Sequence, residues 1–473
     1  MSFTYSVGGK KVILEVDQDY TCVVFREPAP HSMRAEVCEG VGDFSNRFEV
    51  PGEKITIVPV TQTAEPREVR HARAMAAFAA TDKVVDASSV FRYGQMMVIT
   101  PNRVIVGLQE AGTEIPTKIS DDGCIISKAG SDQMLLLTLP EGIDALAYSK
   151  ELSGVKGVEF AEPDFITIRR HQTMVSTVPG FTPTAIPGDP LAGSQYALKI
   201  TQTLEARGLV TGNSAIRIAI LDDGVDVDHE DLKAAFVAGF DGTDGDSFQE
   251  PNDWDAHGTC CAGLALAVAG NSVGIKGVGA GCSLLAVKIA QSPAPNAPWT
   301  TSNAIIARSI EWAWRNGAAI ISNSWGGGLP SEAVASEFER ARTLGRSGKG
   351  CVIVVAAGND NGAVTFPGDL SNVLTVSASN GFDQPKTPTS HDGETWWGSN
   401  FGPEIDLAAP GVHNLTTDNI GQRGYDKNSN YYSAFNGTSS ATPIVAGAAG
   451  LVLSANPSLT ESQVRKILVD SAD

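Results

Sequence analysis

The chain has 473 residues, of which 42% are hydrophobic and 19% are charged. This composition excludes wholesale disorder, and at about 150 residues per domain the length suggests about three domains. The formal net charge of −19 disfavours binding to nucleic acid or to anionic membrane surfaces, because both need clustered cations. The charge therefore predicts no nucleic-acid partner. No run of about 18 apolar residues is present, so we expect no membrane span.

The N-terminus and the cysteines both bear on the cellular compartment. The first residues lack a basic end followed by an apolar core, which is the pattern of a secretory signal. The seven cysteines are odd in number and too sparse for a disulfide scaffold. Together these two features predict a cytoplasmic protein; the alternative is a secreted protein from which a leader has been removed.

Residues 1–100 are predicted to form an N-terminal domain of unknown role. Strands are expected in KKVILEV, YTCVVF and KITIVPV, and a helix in REVRHARAMAAFAAT. Residues 101–170 have a small α+β pattern, with strands in RVIVGL, QMLLLTL and GVEFAEPDFITI and a helix in IDALAYSKEL. Residues 171–190 are rich in proline and glycine and are predicted to be a linker.

Residues 191–473 alternate between apolar strands and helices. Strands are predicted at 216–222, 283–289, 319–325, 351–358 and 373–378, and a helix at 301–317. Continuous apolar strands separated by helices predict a doubly wound parallel sheet of the α/β class, with helices on both faces. Ligands bind to such sheets beyond the carboxyl ends of the strands, so chemistry is expected there.

Several polar residues lie at these positions. Asp222 ends the first strand, His257 opens a helix, and Ser439 follows a glycine turn at the start of a helix of small residues. A serine hydroxyl needs a base to become nucleophilic, and an imidazole base needs a carboxylate that fixes its tautomer. The helix N-terminus at Ser439 and the amide of Asn359 could stabilise an oxyanion. The pattern favours nucleophilic catalysis.

Five segments resemble, in order, the signature blocks of subtilisin-like serine proteases: IAILDDGVDVDHEDL, HGTCCAGLA, IISNSWGGG, VIVVAAGND and NGTSSATPIVAG. The resemblance implies a subtilisin-like fold and a serine endopeptidase that forms an acyl-enzyme. It implies Asp222, His257 and Ser439 as the catalytic triad, with Asn359 as the side-chain donor of the oxyanion hole. The alternative is a non-catalytic peptide-binding module of the same fold.

The same resemblance implies how a peptide or protein substrate is held. Ser324, Trp325 and Gly326 are expected to pair with an extended peptide. The Asp-Asp-Gly sequence at 222–224 looks more like the kexin/furin branch, in which the position of Asp223 receives a basic side chain. Asp360, beside the oxyanion asparagine, could favour a second basic side chain.

Residues 101–170 resemble the inhibitory propeptide of this family, and the alternative is an unrelated α+β domain. The chain is therefore expected to be a self-processing zymogen, with its own propeptide as an intramolecular inhibitor. Arg169-Arg170 directly follows the propeptide tail and is the only Arg-Arg pair in the chain, so we expect cleavage after Arg170. The alternative is that this pair is only the solvated start of the linker.

A structural calcium site is also implied by the resemblance. The ligands of one family site correspond to Asp189, Asp231 and the loop at 268–275, in which Asn271 gives its side chain and Val273 and Ile275 their backbone carbonyls. Carboxylate, amide and carbonyl oxygens are the ligands that calcium prefers. Calcium is the one cofactor that we expect.

Overall fold

The computed structural model describes residues 2–7, 9–27, 29–110, 112–169 and 188–472. These residues form two compact units. The first contains the described residues up to 169 together with Ser292–Ile305 and Leu329–Ala333, and the second contains the remainder of the chain from residue 188. Residues 171–187, which are most of the predicted linker, lie outside the described residues, as does Arg170.

The first part of the chain, up to residue 169, is rich in short strands. They are β1 Ser2–Val7, β2 Lys10–Phe25, β3 Phe48–Glu49, β4 Ile55–Pro59, β5 Val84–Tyr93, β6 Met96–Ile99, β7 Arg103–Leu108, β8 Ile125–Lys128, β9 Met134–Thr138, β10 Val158–Pro163 and β11 Ile166–Arg169. Its helices are α1 His31–Cys38, α2 Arg67–Ala79, α3 Thr117–Asp121 and α4 Ala145–Leu152.

In the later part of the chain, strands alternate with longer helices. The strands are β12 Arg217–Asp222, β13 Phe236–Asp241, β14 Ser283–Lys288, β15 Trp299–Ser302, β16 Ala318–Asn323, β17 Val352–Ala356, β18 Leu374–Ser379, β19 Leu407–Pro410, β20 Asn414–Thr417 and β21 Tyr431–Phe435. The helices are α5 Tyr196–Ile200, α6 Thr203–Leu209, α7 His257–Leu266, α8 Asn303–Arg315, α9 Glu332–Gly348, α10 Thr438–Ala455 and α11 Glu461–Asp470.

Within the first unit, a small antiparallel sheet in the order β10-β7-β9-β8 carries α4 against one face. Alternate residues of β7, such as Val104 and Val106, are buried with Leu137 of β9 and Leu152 of α4. Asp144 caps α4 by accepting a hydrogen bond from the backbone N–H of Ala147. This sheet and helix are the α+β module that was predicted ahead of the parallel sheet.

The larger sheet of the first unit has the order β15-β11-β6-β5-β2-β4-β3, with β1 beside β2. The sequence predicts a single strand where the structure has β10 and β11. Pro163 has no N–H to continue the ladder beyond its pair with Val104, and Phe165 donates its N–H to the Pro163 carbonyl in a tight turn. After this turn, β11 pairs with β6 of the N-terminal domain and with β15.

The second unit contains a parallel sheet in the order β13-β14-β12-β16-β17-β18-β19. This confirms the predicted α/β class with a doubly wound, subtilisin-like sheet. The helix predicted at 301–317 begins instead at Asn303, because Trp299–Ser302 form β15. From β12 the chain builds one side of the sheet and then the other, so the direction of winding changes between β12 and β16.

The helices α7 and α10 form the centre of the second unit. All residues of α7 are buried. Gly447 of α10 lets that helix approach the backbone of the segment between α7 and β14, since a Cβ atom on Gly447 would lie 2.8 Å from the Gly279 nitrogen. Among the described residues, α10 is the one helix long and apolar enough to cross a membrane, but it is 78% buried inside the protein, as a core helix is. These helices carry His257 and Ser439 at their N-terminal ends.

Candidate active site

Asp222 and His257 form a buried hydrogen-bonded pair at the point where the winding of the sheet changes. Asp222 is the last residue of β12 and His257 is the first residue of α7. The Asp222 Oδ1 atom lies 2.7 Å from Nδ1 of His257, and both side chains are at most 1% exposed. This contact assigns the ring proton to Nδ1, which leaves Nε2 as the basic nitrogen.

Ser439 lies in the first turn of α10 and is 8% exposed. Its hydroxyl donates to the Ser324 carbonyl at 2.9 Å, and the Ser324 hydroxyl donates to the Ser439 carbonyl at 2.9 Å. This reciprocal pair fixes the start of α10 to the end of β16.

Asn359 is held beside the start of α10 by its side-chain oxygen. Its Oδ1 accepts hydrogen bonds from the backbone N–H of Thr438 at 2.8 Å and from the Thr438 hydroxyl at 3.0 Å. The amide group Nδ2 therefore points away from these contacts as a donor. Gly437 has φ of +102°, and a Cβ atom there would lie 3.1 Å from Nδ2 of Asn359. The glycine turn thus leaves room in front of this donor.

Asn400 supports the loop that carries Asn359, a role that the sequence analysis missed. Its Oδ1 accepts from the backbone N–H groups of Asp360 and Gly362, at 2.9 and 3.1 Å, and its Nδ2 donates to the Ala357 carbonyl at 3.1 Å. An isolated asparagine some 40 residues after the loop carries no local signal that could have revealed this contact. The loop geometry therefore depends on a distant side chain.

Cys261 lies one helical turn after His257. Its Sγ atom is 3.8 Å from Nδ1 of His257 and 3.5 Å from the Ser439 carbonyl oxygen. Burial, and then the charge of Asp222, raise the pKa of the Cys261 thiol well above its ordinary value. A protonated, fully buried thiol is a packing group rather than a nucleophile.

The predicted substrate-binding segment follows β16. Ser324 is buried, whereas Trp325 and Gly326 are partly exposed and have no regular secondary structure. The indole of Trp325 stacks on Phe338, with ring centroids 6.3 Å apart. A partly exposed, extended backbone beside Ser439 is suited to pairing with a peptide strand.

Asp223, the residue after the catalytic-triad candidate Asp222, is buried at the start of α7. Its Oδ1 accepts from the backbone N–H of Gly258 at 2.7 Å and its Oδ2 from that of His257 at 3.2 Å, and the residue is 1% exposed. Burial, followed by the charges of Asp222 and Asp255, raises the pKa of Asp223 well above its usual range. The carboxyl group is held at the start of α7 by these hydrogen bonds, and its expected contact with a basic substrate residue stays a prediction.

Asp360, the other acid assigned to basic side chains, is exposed on the loop after β17. Its backbone N–H donates to Oδ1 of Asn400, which fixes the position of the residue. The expected contact of Asp360 with a basic side chain of the substrate stays a prediction.

The residues assigned to calcium lie around one loop of the second unit. Asp231 Oδ2 accepts from the backbone N–H of Ile275 at 2.8 Å, and Asp231 Oδ1 accepts from Nδ2 of Asn271 at 2.7 Å. Asn271 Oδ1, the atom expected to bind calcium, accepts from the backbone N–H of Val273 at 3.1 Å. At the other end of the loop, Asp189 Oδ1 accepts from the Gly270 N–H at 2.7 Å.

The chemistry of this group fits a cation. Asp189 and Asp231 are both 0% exposed, and Asp189 Oδ2 is a buried oxygen without a hydrogen bond. The Lys276 ammonium lies 3.2 Å from this oxygen, so one positive charge is already close to it. Two buried carboxylates, an amide and loop carbonyls are a suitable donor set for calcium once the Asn271 amide turns over.

Residues 213–473 match the family model of the subtilase family. The chain is 35% identical over 289 residues to thermitase of Thermoactinomyces vulgaris, a match that covers 61% of this chain and 91% of thermitase. It is 32% identical over 366 residues to a calcium-dependent protease of Nostoc sp., covering 70% of this chain and 52% of that protein. The chain thus spans about half the length of this relative.

The solved structure of fervidolysin from Fervidobacterium pennivorans, a keratinolytic enzyme related to subtilisin, is similar to this chain with a TM-score of 0.63. The two chains are 24% identical, and the match covers 81% of this chain and 58% of fervidolysin, so it bears on the fold. The family match covers more than half of the chain and includes Asp222, His257, Asn359 and Ser439. The chain belongs to the subtilase family.

Proposed function

We propose that the protein is a serine endopeptidase that hydrolyses peptide bonds through an acyl-enzyme on Ser439. The observation that carries the proposal is the buried contact of 2.7 Å between Asp222 and His257, in the same unit as Ser439 at a helix N-terminus. The subtilase family match supports the same activity.

In the proposed reaction, the Ser439 oxygen attacks the carbonyl carbon of the scissile bond while Nε2 of His257 takes its proton. Asp222 stabilises the imidazolium that forms, and the Asn359 amide together with the Ser439 N–H stabilises the oxyanion. The imidazolium then gives its proton to the leaving amine as the C–N bond breaks. Water, deprotonated by His257, releases the acid from the serine ester and restores the hydroxyl.

The test compares Ser439→Ala with Ser440→Ala in hydrolysis of a quenched fluorescent protein substrate. Both serines lie in the first turn of α10, but the Ser440 hydroxyl donates to the Gly437 carbonyl at 3.2 Å. We expect Ser439→Ala to remove turnover and Ser440→Ala to retain most of it. Equal turnover by the wild-type protein and Ser439→Ala would contradict the proposal, and no turnover by either would favour the alternative of peptide binding without catalysis.

We further propose that residues 101–170 are a propeptide that inhibits the enzyme until it is cut. Support comes from Glu162 and Asp164, two acidic residues near the C-terminal end of this segment. Each accepts hydrogen bonds at the start of a helix that lies later in the sequence. Glu162 accepts from the Ser331 hydroxyl and from the backbone N–H groups of Glu332 and Ala333, at the start of α9. Asp164 accepts from the backbone N–H of Ala304, at the start of α8.

Cleavage after Arg170 is proposed on sequence grounds, because the residue lies outside the described part of the chain. A preference for basic residues is proposed from Asp223 and Asp360, on the resemblance and on their positions in the sequence. N-terminal sequencing of the matured protein tests both points. A mature chain that begins after a site without basic residues would contradict them.

Calcium binding by Asp189, Asp231 and the loop at 268–275 is also proposed. A calcium ion there would link the start of the second unit to the loop after α7 and neutralise two buried carboxylates. The buried Asp189 oxygen without a hydrogen bond supports this assignment, and so does the name of the calcium-dependent protease from Nostoc sp..

A further inference from the structure

The N-terminal domain contacts a short segment of the later chain through an apolar pocket. Leu329 is 2% exposed and is buried among residues of the first unit. We call its surroundings the Leu329 pocket; they are Val12, Leu14, Phe91, Met96, Val98 and Phe165. All but Phe165 belong to residues 1–100. A leucine of the family domain is therefore packed inside a domain to which no role has been assigned.

A polar contact reinforces the pocket on the same segment. The Tyr5 hydroxyl donates to the Pro330 carbonyl at 2.9 Å, and the Tyr5 ring lies 5.1 Å from that of Phe165. The adjacent residues, Ser331 to Ala333, are bound by Glu162 of the α+β module. Two modules of different fold thus hold neighbouring residues of one segment.

The strand β11 joins the same two parts of the chain by backbone pairing. Ile166 lies opposite Ile99 of β6 on one side and opposite Ser302 of β15 on the other. The pairing with β15 continues to Arg169, which lies opposite Trp299. A cut after Arg170 leaves β11 on the N-terminal fragment, so neither the strand pairing nor the pocket is broken by it.

We propose that residues 1–100 are a second inhibitory element, a clamp that grips Leu329 and stays bound after the chain is cut. This inference rests on the proposed peptidase function. Leu329 follows the predicted substrate-binding residue Gly326 by three positions, so the clamp restrains the backbone that leads out of that segment. Full activity therefore requires a further step after the first cut, in which the clamp dissociates or is degraded.

The direct test is hydrogen exchange in the full chain carrying Ser439→Ala, which cannot process itself under the proposed mechanism. Leu329→Ser removes the packing in the pocket without altering residues 1–100. We expect exchange in β1 and β6 to become about 10-fold faster or more. The matched control is Leu209→Ser, because Leu209 is 92% exposed, and it should leave exchange in these strands unchanged.

A second variant approaches the contact from the other side. Tyr5→Phe removes the hydrogen bond to Pro330 and keeps the ring, so it should give a smaller increase in exchange at 329–333. Exchange rates within about twofold of the parent in both Leu329→Ser and Tyr5→Phe would overturn the clamp.

The effect of the Leu329 contact on activity is measured in a separate experiment, in the protein that retains Ser439. The lag before a fluorophosphonate probe labels the protein should be shorter in Leu329→Ser than in the wild-type protein and Leu209→Ser. An unchanged lag with faster exchange would overturn the inhibitory role of the contact. A protein that is never labelled would contradict the peptidase proposal instead, and the exchange measurement would still decide whether the clamp contact exists.

Discussion

Glu162→Gln is expected to remove a pH dependence from the stability of the first unit. Glu162 is 4% exposed, and burial raises its pKa from 4.5 to about 7. The hydrogen bonds from Ser331 and from the backbone of Glu332 and Ala333 lower the pKa, but by less than burial raises it. The neutral amide of glutamine keeps an oxygen acceptor for these donors and has no proton to lose.

The sign of the effect follows from proton binding. Because the pKa is higher in the folded state, the folded protein holds more protons than the unfolded chain between pH 4.5 and about 7. The free energy of unfolding therefore falls as the pH rises through this window, and the contribution is fully present below it. The difference between 4.5 and about 7 corresponds to about 3 kcal/mol.

The assay is urea denaturation from pH 4.5 to 8 in the Ser439→Ala background, followed by hydrogen exchange in β10 and at the start of α9. The wild-type residue should give a stability that falls by up to about 3 kcal/mol relative to Glu162→Gln across this range. Glu159→Gln is the matched control, because Glu159 is exposed on the same strand. The reasoning is refuted if Glu162→Gln and Glu159→Gln show the same pH profile.

Two further predictions concern the second unit. Asn359→Ala should lower kcat by about 10²–10³ with little change in KM, because one oxyanion donor is lost. The control Asn361→Ala, on the same loop, should change kcat little. An equal fall of kcat in both variants would contradict the role of Asn359. Chelation of calcium should lower the Tm of the wild-type protein, and Asp231→Asn should abolish that response by removing one carboxylate charge from the loop. A Tm that does not respond to the chelator would count against the site.

The parallel sheet and the residues at its edge could be predicted from the sequence. The strands of this sheet are continuous apolar runs, because both faces are covered, and such runs are readable without any long-range information. Asp222 and His257 are each adjacent to such an element. The structure brings them to 2.7 Å because β12 and α7 meet where the winding of the sheet changes.

Contacts that depend on distant segments could not be predicted. Nothing local to Asp223 indicates that its carboxyl group accepts both N–H groups at the start of α7, some 35 residues later. The pairing partners of β11 could not be predicted for the same reason. Its pattern of alternating apolar and polar residues is compatible with any sheet, and only tertiary packing determines that it pairs with β6 and β15. Leu329 had no apolar neighbours in sequence to mark it as a core residue.

Labelling of Ser439 by a fluorophosphonate probe, mapped by mass spectrometry, tests the central claim most directly. It should be measured on the intact chain and on the chain that has been cut within residues 171–187 by an added protease and separated from its N-terminal fragment. The account predicts one labelled residue, Ser439, in the cut chain, with the label lost in His257→Ala because no base activates the hydroxyl. A cut chain whose Ser439 stays unlabelled, or is labelled equally in His257→Ala, would contradict it.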